Sequence, residues 1–541
     1  MYIARTRKVQ GSKTYHSTLI RESYREEGKV KSRTLCNITK LPEKYIDQIR
    51  RIIKEDEGGF NLSDLALGRS YEYGGTYALR QLASEIGLDK AICSTRVQWR
   101  EDILSMIIGR ILYQGSKLSL VNMFQDTALW EIGGHEFGVR PDVKKHCYTP
   151  MDELLKRKNR IEIKLAKKHL SDGCIILYDI TNTWFEGEYK NSNLASYGNP
   201  KGGKHGYKQV ALGLLTDKHG CPVGVEVFKG STSDQMTVLD QVKKISKKYG
   251  VSNAIFAGDR GMLTQKRINE IGQTDFKIIT ALTHKEIRNL VDKESLQLDL
   301  FDQTNITEIV DSEDAQIRYM LCKNDNEMAK ERKTRSAMID KVSELLTTKA
   351  GVSRKRAPQK VAASIGRIFA KYRIEKFFQW SVDERGGLIW NIKNDILEKE
   401  AELDGCYIIK TNASKESLDK EATVNCYQGL QKVEMAFKNM KTIMLELRPI
   451  YHKSDARIES HIFIVMLAYY LQWHAIEKLG PLFDSDGSGQ DKRWTFETVI
   501  ERLKSIRKTE CLINNIPVKT EVNTPDIEQR RILDLLETKG L

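Results

Sequence analysis

C-I-I-L-Y-D, residues 174–179, is a continuous apolar run that stops at a carboxylate. Such a run predicts a buried strand, Cys174–Tyr178, with Asp179 at its carboxyl end. A carboxylate in that position faces a crevice rather than the core. The T-N-T that follows equally fits a helix N-cap, so Asp179 alone leaves both roles open.

On the C-terminal side, Gln209–Thr216 and Pro222–Phe228 are two further strand runs, joined by the hairpin turn D-K-H-G. Asp234 is expected to cap a helix reaching about Lys248, and Asn253–Ala257 is a short apolar run that stops at G-D-R-G. Phe276–Ala281 is a fifth strand candidate. Three antiparallel strands, a helix and then a buried strand predict an α/β unit of the ribonuclease-H type. Residues 286–415 read as a β-rich, irregular insertion, with strand candidates at Ile317–Cys322, Arg373–Val382, Gly387–Ile392 and Cys406–Lys410 and a basic helical stretch among them. A strong helix is predicted over Asn425–Arg448, closed by Pro449, and another over about Ala456–Leu479. The expected fold class is therefore α/β: a ribonuclease-H-like core (171–285 and 416–480) interrupted by a β-rich insertion.

On the N-terminal side, apolar positions at three- and four-residue spacing predict helices at Thr76–Glu85, Arg100–Gly115 and Asp152–Leu170. Residues 59–170 thus read as a helical DNA-binding region. Residues 1–58 are basic, and alternation at Thr14–Leu19 and Val30–Leu35 predicts a β-arm followed by a helix at Pro42–Glu55 and Gly58-Gly59 punctuation. The tail, 481–541, carries Gly, Ser and Asp around 485–490 and is expected to be helical.

The 541 residues are 40% apolar, enough to bury a large core in roughly two to four units, and a disordered or fibrous chain is excluded. Against 73 Asp and Glu stand 87 Lys and Arg, a net charge of +14 that favours a polyanionic partner such as nucleic acid. The most apolar run, Ile462–Trp473, is about half of the ~20 residues that a spanning helix needs, so no membrane partner is expected. M-Y-I-A-R-T-R-K has no apolar signal region. Nine cysteines without a C-x-x-C pair predict reduced, mostly buried thiols, and argue against a disulfide frame or a zinc site. A cytoplasmic location is expected.

Two more acids stand out. Asp259 follows the strand run A-I-F-A and precedes Arg260-Gly261, although a plain strand-to-helix turn has the same form. Tyr427, Glu434, Lys441 and Arg448 are seven residues apart, and seven helical residues rotate ~700°, only ~20° short of two turns. The four form one polar stripe, with Val433, Phe437, Met440 and Met444 facing the core; a solvated helix face shows the same pattern. Phosphodiester cleavage by water needs an activated nucleophile and neutralised charge on two oxygens. Two Mg²⁺ ions ~3.5–4 Å apart do both, held by carboxylates from separate rigid elements.

Asp179 in Y-D-I-T-N-T, Asp259 in G-D-R-G and Tyr427…Glu434…Lys441 together resemble the Asp-Asp-Glu transposases of bacterial insertion sequences. The most similar class has the signature Tyr-x2-Arg-x3-Glu-x6-Lys on its last catalytic helix. Its β-rich insertion would account for the long gap between Asp259 and Glu434. G-L-L-T-D-K-H-G-C-P-V-G-V-E-V-F-K-G, D-G-C-Y-I-I-K-T-N and L-R-P-I-Y-H are similar supporting segments. The signature Arg falls on Leu430, so Lys438 or Lys432 is expected to replace that phosphate contact. The resemblance implies that Asp179, Asp259 and Glu434 are catalytic and bind two Mg²⁺ per site, with Mn²⁺ substituting. It implies DNA contacts by Tyr427 and Lys441, and Lys438, Arg448 and Arg260 are further candidates. It also implies double-stranded DNA partners, namely element ends and target, and a homodimer assembled on DNA.

Trp380 and Trp390 end two strand candidates on either side of D-E-R-G-G. Either both pack in the insertion's small core, or one stacks on a base displaced at the cleaved end, with Arg373, Lys376 and Arg385 on adjacent phosphates. S-R-K-R-A-P-Q-K, from Ser353, is a DNA-contacting loop or a solvated linker. His205, His219, His452 and His461 lack ligand spacing, and Asp217 and Asp404 read as turn residues. Two rivals share parts of this pattern. A silent, repressor-like protein derived from a transposase would usually lose a carboxylate, and a structure-specific nuclease has no reason for the long insertion.

Overall fold

The computed structural model describes residues 1–541 apart from 11–12, 27, 55–64, 202–203, 293–305, 312–313, 315, 352–356, 442–444, 485–492 and 514–515. Gly58-Gly59, the segment around 485–490, Met444 and the first half of S-R-K-R-A-P-Q-K lie outside the described residues. The chain divides into two compact units.

The smaller unit comprises Met1–Tyr71 and Arg507–Asn523. Strands Tyr2–Gln10, Lys13–Glu26 and Lys29–Asn37 form an antiparallel meander, followed by a helix at Glu43–Lys54, as the alternation predicts. The tail is helical at Phe496–Lys504 and Ile527–Leu535, as expected, and departs from that expectation between them. Arg507–Ile513 and Ile516–Val522 form a hairpin whose first strand neighbours Leu65–Glu72. R-K-T-E-C-L-I alternates only weakly and gains its place in a sheet from a strand distant in sequence.

The larger unit opens with helices α1 (Gly74–Glu85), α2 (Gln98–Leu112) and α3 (Thr149–His169). The core sheet then begins with β1 (Cys174–Trp184), β2 (Gln209–Asp217) and β3 (Pro222–Lys229). Helix α4 (Asp234–Lys244) leads to β4 (Ala254–Gly258) and β5 (Lys277–Ala281). β2 is antiparallel to both β1 and β3, while β4 runs parallel to β1 and β5 parallel to β4. This is the strand order of a ribonuclease-H-like core. Every residue of β2 is buried, as expected for a strand covered on both faces. The residue capping α4 is Ser233, not Asp234, whose carboxylate instead pairs with Lys201 at 2.5 Å.

The region expected to be a β-rich insertion is mostly helical. β6 (Thr307–Val310), β7 (Arg318–Lys323) and β10 (Cys406–Thr411) extend the core sheet, giving the order β6-β7-β10-β5-β4-β1-β2-β3. Between β7 and β10 lie α5 (Asp325–Ala350), α6 (Pro358–Tyr372) and a hairpin of β8 (Phe378–Val382) and β9 (Leu388–Ile392). α5 buries only Ile339, Val342 and Leu346 out of 26 residues. A stripe that thin on a charged helix barely registers as a period in sequence.

The helix predicted over Asn425–Arg448 is two helices, α7 (Lys420–Gln428) and α8 (Leu430–Lys441), interrupted at Gly429. A Cβ at Gly429 would come within 2.9 Å of the Cys426 carbonyl oxygen, so the break requires a glycine. α9 (Asp455–Lys478) is buried along nearly its whole length from Ile458 to Ala475 and packs against α2, α3 and β3. A helix apolar on all sides belongs at the centre of a large core. Among the described residues, no helix is long and apolar enough to cross a membrane.

Candidate active site

β1 does not stop at Asp179. It continues to Trp184, and Asp179 sits mid-strand opposite Leu214 of β2. On its other side, Tyr178 pairs with Gly258 at the end of β4. The next residue of each strand, Asp179 and Asp259, therefore falls side by side where β4 ends and β1 runs on. Alternation along a strand forbids a helix cap at Asp179 and turns its side chain to one sheet face. There α8 packs on β1 and presents Glu434.

The three carboxylates line one cleft of about 570 Å³, together with Thr181, Lys201, Asn324, Tyr407, Tyr427, Gln428 and Leu430. Asp179 accepts the Ile180 N–H at 2.7 Å, and Asp259 accepts the Arg260 N–H at 2.7 Å. Burial pushes the Asp179 carboxyl up to about 6, and the negative charges of Asp259 and Glu434 push the same way; Lys201 and the Ile180 N–H oppose them. The three carboxylates, one on β1, one just past β4 and one on α8, are oxygen donors of the type that hard divalent cations take.

Of the polar stripe, Tyr427 and Glu434 line the cleft, whereas Lys441 and Arg448 do not. Tyr427, on α7, reaches the cleft, where burial first and Asp259 next push its phenol up to about 12. Lys441, at the end of α8, is not on a solvated face: its ammonium donates to the Thr181 hydroxyl of β1. Burial lowers it to about 8, with Arg448 adding to the fall and Asp179 opposing it. Arg448 lies beyond the helix and stacks on Trp184, its guanidinium carbon 3.4 Å from the ring centroid. Lys438 and Arg260 are exposed beside the cleft acids in sequence. Lys432 is engaged elsewhere, donating to the Lys218 carbonyl at 3.1 Å.

Trp380 and Trp390 do not line the cleft. They pair directly across β8 and β9 and pack, half-buried, against the core of Val342, Ile365 and Phe369. Asp404 is bound by Arg332 and Arg335, and Asp217 accepts the His219 and Cys221 N–H groups, both structural roles. Lys201 and Trp184 were missed by sequence reasoning. Lys201 reaches β1 from a loop, donating to the Ile180 carbonyl at 3.0 Å, and no local pattern marks it. Trp184 ends β1 five residues beyond Asp179, does not line the cleft and carries no periodic signal that links it to Asp179.

Residues 171–471 match the family described as Transposase DDE domain, over more than half of the sequence, and the chain belongs to that family. Residues 3–61 match the IS1634 family transposase N-terminal domain, which identifies the bacterial insertion-sequence class. Membership implies dependence on a divalent metal. Comparison with curated proteins gave no match. Among solved structures, the piggyBac transposase synaptic complex with hairpin DNA covers 80% of this chain and 76% of its own, at 10% identity and TM-score 0.33. The Mos1 transposase paired-end complex with left transposon end covers 44% and 68%, at 14% identity and TM-score 0.15. At those scores neither supports a statement about this site.

Proposed function

We propose that this transposase binds the terminal inverted repeats of an insertion sequence and catalyses metal-dependent cleavage and transfer of their strands. The observation that carries this reading is the convergence of Asp179, Asp259 and Glu434 from three elements into one cleft, with Asp179 held up at about 6. These residues would hold two Mg²⁺, with Mn²⁺ as a substitute. Such ions, when bound, would supply Lewis acidity for activating a water or a DNA 3′-hydroxyl and positive charge against that developing on the phosphate. Lys201 balances Asp179, keeping a carboxylate available at neutral pH. Lys441, steadied by Thr181, offers its ammonium to a phosphate beside the cut, and Tyr427 bounds the cleft on the other side. Lys438, Arg260 and Arg448 hold the backbone further out, positioning the duplex without reading its sequence.

In this reading two copies assemble on paired ends, and the protein works in the cytoplasm on nucleoid DNA. A silent, repressor-like protein is disfavoured because all three carboxylates are present and line one cleft. The test is to incubate the full chain with labelled terminal inverted repeats and Mg²⁺ and to map the products. Nicks at the element's 3′ ends support the proposal. Tight binding without cleavage in either metal would leave the silent DNA-binding protein.

A further inference from the structure

We infer that His169, Cys221 and His474 form a second, structural transition-metal site, suited to Zn²⁺, that staples the β2–β3 hairpin to helices α3 and α9. The site is separate from the carboxylate cleft and does not depend on the proposed reaction. One ligand atom from each residue lies within 4.8 Å of the other two. Cys221 Sγ is 3.8 Å from His169 Nε2. Zn–S of about 2.3 Å and Zn–N of about 2.0–2.1 Å place a tetrahedral S and N about 3.6 Å apart, close to the separation of Cys221 Sγ and His169 Nε2. The hydroxyl of Tyr470, 3.0 Å from His169 Nε2, borders the fourth side.

The surroundings are those of a ligand set. His169 turns Nδ1 towards the Asp217 carboxylate at 3.6 Å, leaving Nε2 facing Cys221. A carboxylate behind a metal-binding imidazole fixes its tautomer and orientation. Asp217 is itself held by the His219 and Cys221 N–H groups at 2.8 and 2.9 Å. His474 Nε2 is buried with no hydrogen-bond partner among the described residues. Such an atom is costly unless a partner is supplied. A metal here would take Cys221 as its thiolate, with the proton released to solvent. A thiolate with two imidazoles selects Zn²⁺ over Mg²⁺.

A second cluster, Asp102 with His135 and His146, shows the contrast. There the imidazole nitrogens already sit 2.6 and 3.3 Å from the two Asp102 oxygens, and Gln98 completes the set at 2.9 Å. That network is closed without a metal. In the His169 cluster one imidazole nitrogen, His474 Nε2, is left without such a partner among the described residues.

The test uses the full chain, purified without a polyhistidine tag, stripped with a chelator and titrated with Co²⁺ and then Zn²⁺. The expected result is about one tightly held Co²⁺ per chain with a thiolate-to-cobalt charge-transfer band, displaced by Zn²⁺. Cys221→Ser should remove the band, His474→Gln should weaken binding at least tenfold, and Asp217→Asn should weaken it by about 10–100-fold. Zn²⁺ should raise the melting temperature of the wild type but not of Cys221→Ser. Should Cys221→Ser fail to fold, the wild-type spectrum and the His474→Gln titration still decide. No band in the wild type, a band that survives both variants, or a band lost in Asp102→Asn overturns the assignment.

Discussion

In the cleft, Asp179, Asp259 and Glu434 crowd like charges together, while burial pushes Asp179 up to about 6 and Lys441 down to about 8. In the small core between α5, α6 and the β8–β9 hairpin, Trp380 and Trp390 lie across from each other with apolar neighbours on the covered side. Both regions were singled out by the same kind of sequence signal, conspicuous residues at strand or helix ends. Physically they are opposites. The first keeps Asp179 and Lys441 in states that cost free energy; the second lowers free energy by packing. Strain of the first kind is what the proposed chemistry would use, and packing of the second kind builds a scaffold.

The largest expected effect falls in the cleft. Asp179→Asn, Asp259→Asn and Glu434→Gln should each lower strand cleavage of labelled ends by about 10³-fold or more, the scale of losing one charge-stabilising group, with DNA binding retained. An amide variant cleaving near the wild-type rate would remove that residue from the ligand set. In the small core, Trp380→Ala and Trp390→Ala should each cost about 2–4 kcal/mol of local stability, read by hydrogen exchange in α5 and α6, and spare the first nick. If 2-aminopurine at the transferred end instead brightens in one of them without loss of stability, that ring stacks on DNA and the contrast fails.

The same contrast predicts a gain of stability where chemistry is lost. A carboxyl whose folded-state value is raised from 3.8 to about 6 destabilises the fold wherever it is ionised. In metal-free buffer above pH 6, Asp179→Asn should therefore be more stable than wild type, by as much as about 2–3 kcal/mol. The difference should vanish as pH falls through about 6 towards the ordinary value. A flat difference across that range would show that Asp179 is not strained. The smallest effect concerns Lys441. Lys441→Ala should flatten the slope of log affinity against log salt by about 0.9. Because Lys441 is lowered to about 8, the wild-type slope should also decline as pH rises through 8 and that of the variant should not. An unchanged slope would leave Lys441 as a strut between α8 and β1.

Local order was legible in the sequence. The apolar runs at 174–178, 209–216 and 222–228 and the D-K-H-G turn became β1, β2 and β3, because period and turn chemistry act within a few residues. The order Asp179, Asp259, Glu434 carried the family, and Tyr427 and Glu434 reached one cleft as their spacing implied. Other features depend on neighbours far away in the chain. Whether Asp179 ended a strand or sat within it depended on β2 continuing beside β1. The thin stripe on α5 was set by α6, and the hairpin at 507–522 by a strand near residue 70. Lys201 reached Asp179 through a loop, and His169, Cys221 and His474 met only because α3, the β2–β3 hairpin and α9 share one core. Periodicity and turns are short-range properties of the chain. Burial, and the charge states it imposes, belong to the packed structure.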